Sequence, residues 1–455
     1  MDDRKSFTVR RRDWKPESLT MEKYTIFWFR RDLRITDNHG LYKALSGEIK
    51  VIPIFIFDEH ILKKLPKSDA RLEFILLALG TIDNAMKRNR CSLGMYHGTP
   101  KAIFKKLIQT WSIDKVVCNE DYEPYATERD ASIKALLMEH NITFETYKDQ
   151  VIFGKDEVVK DDGTPYRVYT PYSRKWLEHF AKTSLTQYPS ENHLDQLAQL
   201  SLPKLDLNDL GFTPSTVAQP KYIFNDEVIT SYEETRNFPA VDKTTRTGTH
   251  LRFGTLSVRE MVKRSSAIEN PTFFKELIWR EFFMQILWHF PHTINQSFKP
   301  QYDRIEWRNN PEEFEKWCQG KTGYPFVDAG MRQLNETGFM HNRVRMLVGS
   351  FLCKHLLIDW RLGEAYFAEK LLDYEMSSNV GNWQWVAGCG VDAAPYFRIF
   401  NPTEQIKKFD KQHDYIKKWV PDYQESSYPQ PIVDHKFARE RCLTTYKSAL
   451  NAQAS

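Results

Sequence analysis

The chain has little of several things. It holds 6 cysteines in 455 residues, with no paired spacing, so neither a disulfide scaffold nor a cysteine-rich metal site is indicated. Reduced thiols and a cytoplasmic setting are expected. Purely apolar runs are short, Val51 to Phe57 among the longest, which excludes a membrane-spanning helix. Residues 1–20 are polar and basic and lack the apolar segment of a signal peptide. We read them as a disordered extension, with Met21 as an alternative start. No Gly-x-Gly-x-x-Gly follows the first apolar run, so the usual dinucleotide fingerprint is missing. Charge of one sign is also missing: the formal net charge is +4. A nucleic acid could then be held only by charge gathered on one face. Aromatic residues, by contrast, are plentiful: 12 Trp, 21 Tyr and 29 Phe, 14% of the chain, hint at stacking on a flat ligand.

Three short β-prone runs appear early: Tyr24–Phe29, Val51–Phe57 and Lys115–Cys118. A helical pattern, Ala70–Leu79, lies between the second and third. Strands alternating with helices predict a parallel α/β sheet over residues 21–150. Ligands of such sheets sit beyond the carboxyl ends of the strands, where Arg30–Arg34 and Asn119–Glu123 fall. Residues 151–215 are interrupted by Pro165, Pro171, Pro189, Pro203 and Pro214 and read as an irregular interdomain connector. Residues 216–455 read as an all-α domain, with helices over Phe273–Trp288, Pro311–Gln319, Ala329–Thr337, Asn342–Leu357 and Gly363–Leu372. The fold class is therefore α/β plus all-α.

Five segments could carry chemistry. Glu276, Trp279 and Arg280 share one helical face, which suits stacking a base and bonding its edge. An amphipathic core helix with one surface ion pair explains them as well. Asn342 and Met346 share a face, with His341 and Arg345 beside them and Arg343 turned elsewhere. Asp373, Glu375 and Asn379 are acceptors among small residues, followed by Trp383 and Trp385, which face different ways. Asp392–Pro402 carries Arg398 and is followed by Gln405, Lys407 and Lys408, a phosphate-contacting loop or an ordinary connection. Asp242–His250 places hydroxyls before a helix, which suits a phosphate or a simple N-cap turn.

Together these segments resemble the photolyase/cryptochrome family, most closely its class I cyclobutane-pyrimidine-dimer photolyases. The resemblance runs from about Tyr24 to Tyr423. It is carried by Phe27–Arg34, Leu277–Glu281, Gly323–Asp328, His341–Met346, Trp383–Trp385 and Asp392–Pro402. It implies an N-terminal α/β antenna domain, a long connector and a C-terminal helical domain holding FAD. Tyr232 and Thr244, Thr245, Arg246, Thr247 and Gly248 would hold the diphosphate. Phe273, Glu276, Arg280, Arg345, Asp373, Tyr374 and Glu375 would surround the cofactor, and Asn379 would face flavin N5. Glu276, Trp279, Asn342, Met346 and Trp385 would form the catalytic pocket for a flipped-out dimer. Trp383, Trp360 and Trp307 would relay electrons between flavin and surface. DNA would be held by Arg236, Trp279, Asn342, Arg343, Arg398, Gln405, Lys407 and Lys408.

The resemblance implies light-driven repair of pyrimidine dimers in DNA by a monomer needing no metal, membrane or protein partner. The alternatives are a blue-light signalling cryptochrome, a (6-4) photolyase and a DASH-type single-strand enzyme. Asn379 stands where plant-type photoreceptors have Asp. Asn342 and Met346 stand on the helix where (6-4) enzymes use histidines, and the helical domain is expected to end near Tyr423, leaving no long regulatory tail. A second antenna chromophore, folate, deazaflavin or flavin, is expected. Glu123 points to folate.

Overall fold

A computed structural model describes residues 22–451. The expected extension over residues 1–20 lies outside the described residues. Five parallel strands, β1 (Lys23–Phe29), β2 (Val51–Asp58), β3 (Gly94–Gly98), β4 (Ser112–Asn119) and β5 (Thr143–Tyr147), form one sheet in the order β3-β2-β1-β4-β5. The three strands expected from apolar runs are its centre. β3 and β5 lie at the edges, where fewer buried side chains leave a weak signal.

Alternate residues of the central strands enter opposite cores. Phe27, Phe29, Phe55 and Phe57 pack on one face, and Ile26, Trp28, Ile54 and Ile56 on the other. Burial on both faces explains the continuous apolar run of β2. The helix α1 (Ala70–Lys87) covers the first face with Leu72, Leu79 and Ile82.

The connector is more ordered than its prolines suggest. It contains α2 (Tyr169–Lys182) and a 3-10 segment Ser190–Gln196. Pro171 falls in the first turn of α2, where a missing N–H costs nothing. Tyr172 and Trp176, one turn apart, are the buried face of that helix. Leu197, Leu210 and Phe212 then return to the core of the α/β half.

The second half is helical. The elements that position the site are α3 (Gly248–Phe253), α4 (Thr272–His289), α5 (Asn342–Ser350), α6 (Trp360–Lys370), α7 (Met376–Ala387) and α8 (Pro402–Phe409). The helix expected over Asn342–Leu357 ends at Ser350 and widens into a π-turn over Phe351–His355. Nor does the helical half end near Tyr423. The helix His435–Asn451 packs Cys442, Tyr446 and Ala449 into the main core.

The two halves are joined by buried polar contacts that start in the Arg30–Arg34 segment. Leu33 N–H donates to the Phe253 carbonyl at 3.0 Å. Arg34 donates to the Gly254 carbonyl at 3.0 Å and to Asp149 at 2.8 Å, and Arg259 also pairs with Asp149 at 2.8 Å. Among the described residues no helix is long and apolar enough to cross a membrane, and no cluster of potential metal ligands occurs.

Candidate functional site

Helices α5, α6 and α7 enclose a cleft of about 580 Å³, part of it open to solvent. Its walls include Asn342, Arg345, Met346, Asp373, Tyr374, Glu375, Asn379 and Trp383, eight of the residues expected from sequence. They converge because Asn342, Arg345 and Met346 lie on the first turns of α5. Asn379 and Trp383 are four residues apart on α7, and Glu375, four residues before Asn379, caps its start. Gly363 of α6 lets that helix lie against the Trp383 ring, since a Cβ there would collide with it. Phe367 meets the same ring edge-on at 5.0 Å.

The polar groups of the cleft are only partly satisfied. Arg345 donates to Asp373 Oδ2 at 2.8 Å and to the Met340 carbonyl at 2.7 Å. Asp373 Oδ1 is buried without a hydrogen-bond partner in the protein. Such an orphan is costly unless a ligand meets it. The Asn379 amide donates to Glu364 Oε1 at 2.9 Å and to the Glu364 carbonyl at 3.1 Å, which leaves its own oxygen for the cleft. Burial raises the pKa of Glu364 above the usual carboxylate range, while Asn379 and Tyr374 oppose the shift. Thr245 and Thr247 bond each other at 2.9 Å in the loop before α3. At the end of that loop Gly248 lies so close to Asp373 that a Cβ would sit 2.9 Å from it. The Thr244–Gly248 segment is thereby brought to the rim. Arg246 pairs with Asp242 at 2.6 Å on the surface.

A second group forms beside the cleft on α4. Glu276 accepts from Arg236 at 2.5 Å, and Arg236 lies over the Tyr232 ring at 5.2 Å. Tyr232 meets Phe273 edge-on at 5.3 Å. Burial raises the pKa of Glu276, and Arg236 opposes the rise. Trp279 stacks flush on Tyr169 of α2, with centroids 3.6 Å apart and planes 6° from parallel. Arg280 is enclosed and donates to the Gln150 carbonyl at 2.8 Å; burial lowers its pKa. Trp385 is half-buried and packs against the helical core.

Several expectations need correcting. Arg236, expected at a phosphate, pairs with Glu276 here. Arg343 does not turn away from Met346: its guanidinium lies 3.8 Å from the sulfur, over the Phe409 ring at 4.4 Å. Lys407 is exposed and paired with Glu404 at 2.7 Å, Lys408 lies over Phe409 at 5.2 Å, and Gln405 is half-buried on α8. Arg398 is exposed and makes no ion pair among the described residues. Trp307 meets Tyr446 at 6.0 Å, whereas Trp317 meets Trp383 at 6.1 Å. Trp360 is buried, with its indole nitrogen unpartnered. Glu123 pairs through one carboxylate oxygen with Arg31 at 3.1 Å and Arg252 at 3.0 Å. Tyr169 and Glu364 carry no signal in sequence, because each acts across more than a dozen residues and only topology brings it in; Arg31 lies in the Arg30–Arg34 segment, but its reach to Glu375 is visible only in the fold.

The set fits FAD. Aromatic walls, an arginine, a partnerless carboxylate oxygen and a hydroxyl-bearing loop offer partners for an isoalloxazine, a ribose and a diphosphate. Residues 273–427 match the FAD binding domain of DNA photolyase, and residues 25–191 match DNA photolyase. A deoxyribodipyrimidine photo-lyase of Halobacterium salinarum is 33% identical, over 93% of this chain and 99% of its own. The crystal structure of a class III photolyase from Agrobacterium tumefaciens superposes with a TM-score of 0.85 at 32% identity, over 96% of this chain and all of its own (100%). An archaeal photolyase from Sulfolobus tokodaii, solved with two FAD molecules, gives 0.81 at 32% identity, over 93% and 100%. On motifs, walls and full-length similarity together, this chain belongs to the DNA photolyase family.

Proposed function

We propose that the protein repairs cyclobutane pyrimidine dimers in DNA, using light absorbed by FAD held in the cleft. The observation that carries this reading is the adjacency of two unlike sites. The cleft with its partnerless Asp373 oxygen is walled by α7, and α7 packs against α4, where a carboxyl of raised pKa, Glu276, stands one helical turn from Trp279. FAD supplies the light-driven one-electron chemistry when bound. The chain's own residues bind and orient. Arg345 and Asp373 hold the cofactor's polar edge, and Asn379, fixed by Glu364, presents an acceptor oxygen. Trp279, braced by Tyr169, offers an aromatic wall worth roughly 1–3 kcal/mol to a flipped base. That is comparable to the few kcal/mol that flipping costs. Glu276, when protonated, donates to a pyrimidine oxygen.

Reduced protein mixed with dimer-containing DNA should restore intact thymines under near-UV or blue light and leave them unrepaired in darkness. Light-independent or absent repair by flavin-loaded protein overturns the reading. Repair of (6-4) lesions instead would reassign the pocket of Asn342 and Met346.

Trp383, Trp360 and Trp307 form our proposed path for photoreduction. Trp307→Phe should abolish reduction of the bound oxidised flavin by light and external reductant, yet spare repair after chemical reduction. A second chromophore also belongs to this reading; the fluorescence of pigment released on denaturation identifies it. So does a monomeric, cytoplasmic form acting on dimer-containing DNA, which sedimentation and cell fractionation test.

A further inference from the structure

The cleft does not belong wholly to the helical half. Glu375, one of its walls, is held by a side chain from the other half: Arg31, just beyond the end of β1, donates to the Glu375 carboxylate. The same guanidinium reaches Asp121 at 3.0 Å and Glu123 at 3.1 Å, both just beyond β4. Its Nε donates to the Arg252 carbonyl at 3.3 Å. Arg252 in turn pairs with Glu123 at 3.0 Å and lies 3.8 Å from Glu375. All these side chains are largely shielded from water, with Arg31 and Glu375 each 9% accessible.

We propose that Arg31 is a positioning residue for the FAD cleft, clamping Glu375 so that cofactor retention depends on the docked α/β half. The inference rests on the assignment of the cleft to FAD. Glu375 precedes α7, and its carbonyl accepts from Asn379 N–H at 2.8 Å. A guanidinium that fixes Glu375 therefore fixes the first turn of the helix that bears Asn379 and Trp383. Removing Arg31 would take from Asp121 its one ion pair among the described residues and leave Glu123 and Glu375 to share Arg252. Buried like charges relieve such crowding by taking up protons or moving apart. Either response changes the wall that the cofactor meets. Lysine cannot substitute fully, because one ammonium lacks the planar fork that serves several carboxylates at once.

The test is the rate at which bound FAD leaves each variant, read by the rise in free-flavin fluorescence. Arg31→Gln should release FAD at least about tenfold faster than wild type, about 1.4 kcal/mol. Arg31→Lys should fall between the two, about threefold faster or more. Asp37→Asn is the control. It breaks another pair between the halves, Asp37 to Arg259 at 3.1 Å, and Asn tolerates the left-handed backbone there (φ 47°). It should lower the denaturation midpoint and leave FAD release within about twofold of wild type. If Arg31→Gln does not fold, Arg31→Lys decides. Wild-type release rates in the Arg31 variants overturn the proposal. So does an Asp37→Asn variant that releases FAD as fast as Arg31→Gln, since Arg31 would then act only through general docking. Wild-type protein unable to hold FAD overturns the cofactor assignment, and with it this one.

Discussion

Two crevices of this molecule look alike in sequence and differ in kind. One lies beyond the carboxyl ends of β1 and β4, the other among α5, α6 and α7. Both gather Asp, Asn and Arg beside apolar runs. In the first, the groups around Asn119 find one another, although Asp149 Oδ2 nearby has no partner. Asn119 donates to Asp32 at 2.6 Å and to Asn38 at 2.7 Å, and its own oxygen accepts from Gly40 N–H at 2.8 Å. In the second, Asp373 keeps an oxygen that nothing in the protein meets. Polar residues near a core become a ligand site when their partners are left outside the chain; when the partners lie inside it, they are structure.

The sharpest break of this contrast is Asn119→Leu. It strands Asp32, Asn38 and the Gly40 N–H in a region almost free of water. Unfolding free energy should fall by about 3 kcal/mol, measured in urea. The fraction of folded protein that retains FAD should not change. Asp373→Asn should do the reverse. It removes the charge that faces Arg345 with little change in volume, so FAD affinity should drop about tenfold and stability by less than about 1 kcal/mol. Titration with FAD and a denaturation curve on each variant separate the two. A stability loss at Asp373 matching that at Asn119 would erase the distinction.

Glu281 sharpens it further. Its carboxylate accepts from Ile152 N–H at 2.7 Å, Phe153 N–H at 3.1 Å and the Trp176 indole at 2.6 Å. Even so, burial lifts its pKa from 4.5 to about 7 against those bonds. The folded state therefore holds a proton that the unfolded state has lost between those values. Stability from this group is present below about pH 4.5 and falls as pH rises toward 7. The unfolding free energy should decline by about 3 kcal/mol across that window, and Glu281→Gln should flatten the slope.

Much of the architecture was legible because burial writes itself into periodicity. The central strands and α4 follow from runs and four-residue spacing, and the cleft walls from the resemblance of their segments to a known family. What escaped was set by distance in sequence. Tyr169 stacks on Trp279 and donates to the Lys275 carbonyl, a separation of 106 in sequence. Glu364 meets Asn379 only because α6 and α7 pack together. The prolines of the connector hid α2, since Pro171 occupies a turn that needs no N–H.

The smallest predicted effect separates two arginines that sequence treats alike. Arg236 is half-buried, bound to Glu276 at 2.5 Å and laid over Tyr232. Arg398 is exposed, in a loop whose Phe397 is 61% accessible. A phosphate contact made by Arg398 displaces counterions from DNA regardless of sequence or damage. Arg398→Ala should therefore reduce the magnitude of the slope of log K against log salt by about 0.9 and weaken damaged and intact DNA alike. Arg236 has its charge committed, so it has little to give a phosphate. Arg236→Gln should leave the salt slope nearly unchanged and raise the preference for damaged DNA, because Glu276, relieved of the cation that opposes its protonation, more readily takes the protonated form that donates to a pyrimidine oxygen. Equal changes in slope for both variants would show that the Arg236–Glu276 pair opens on DNA and that the two arginines share one role.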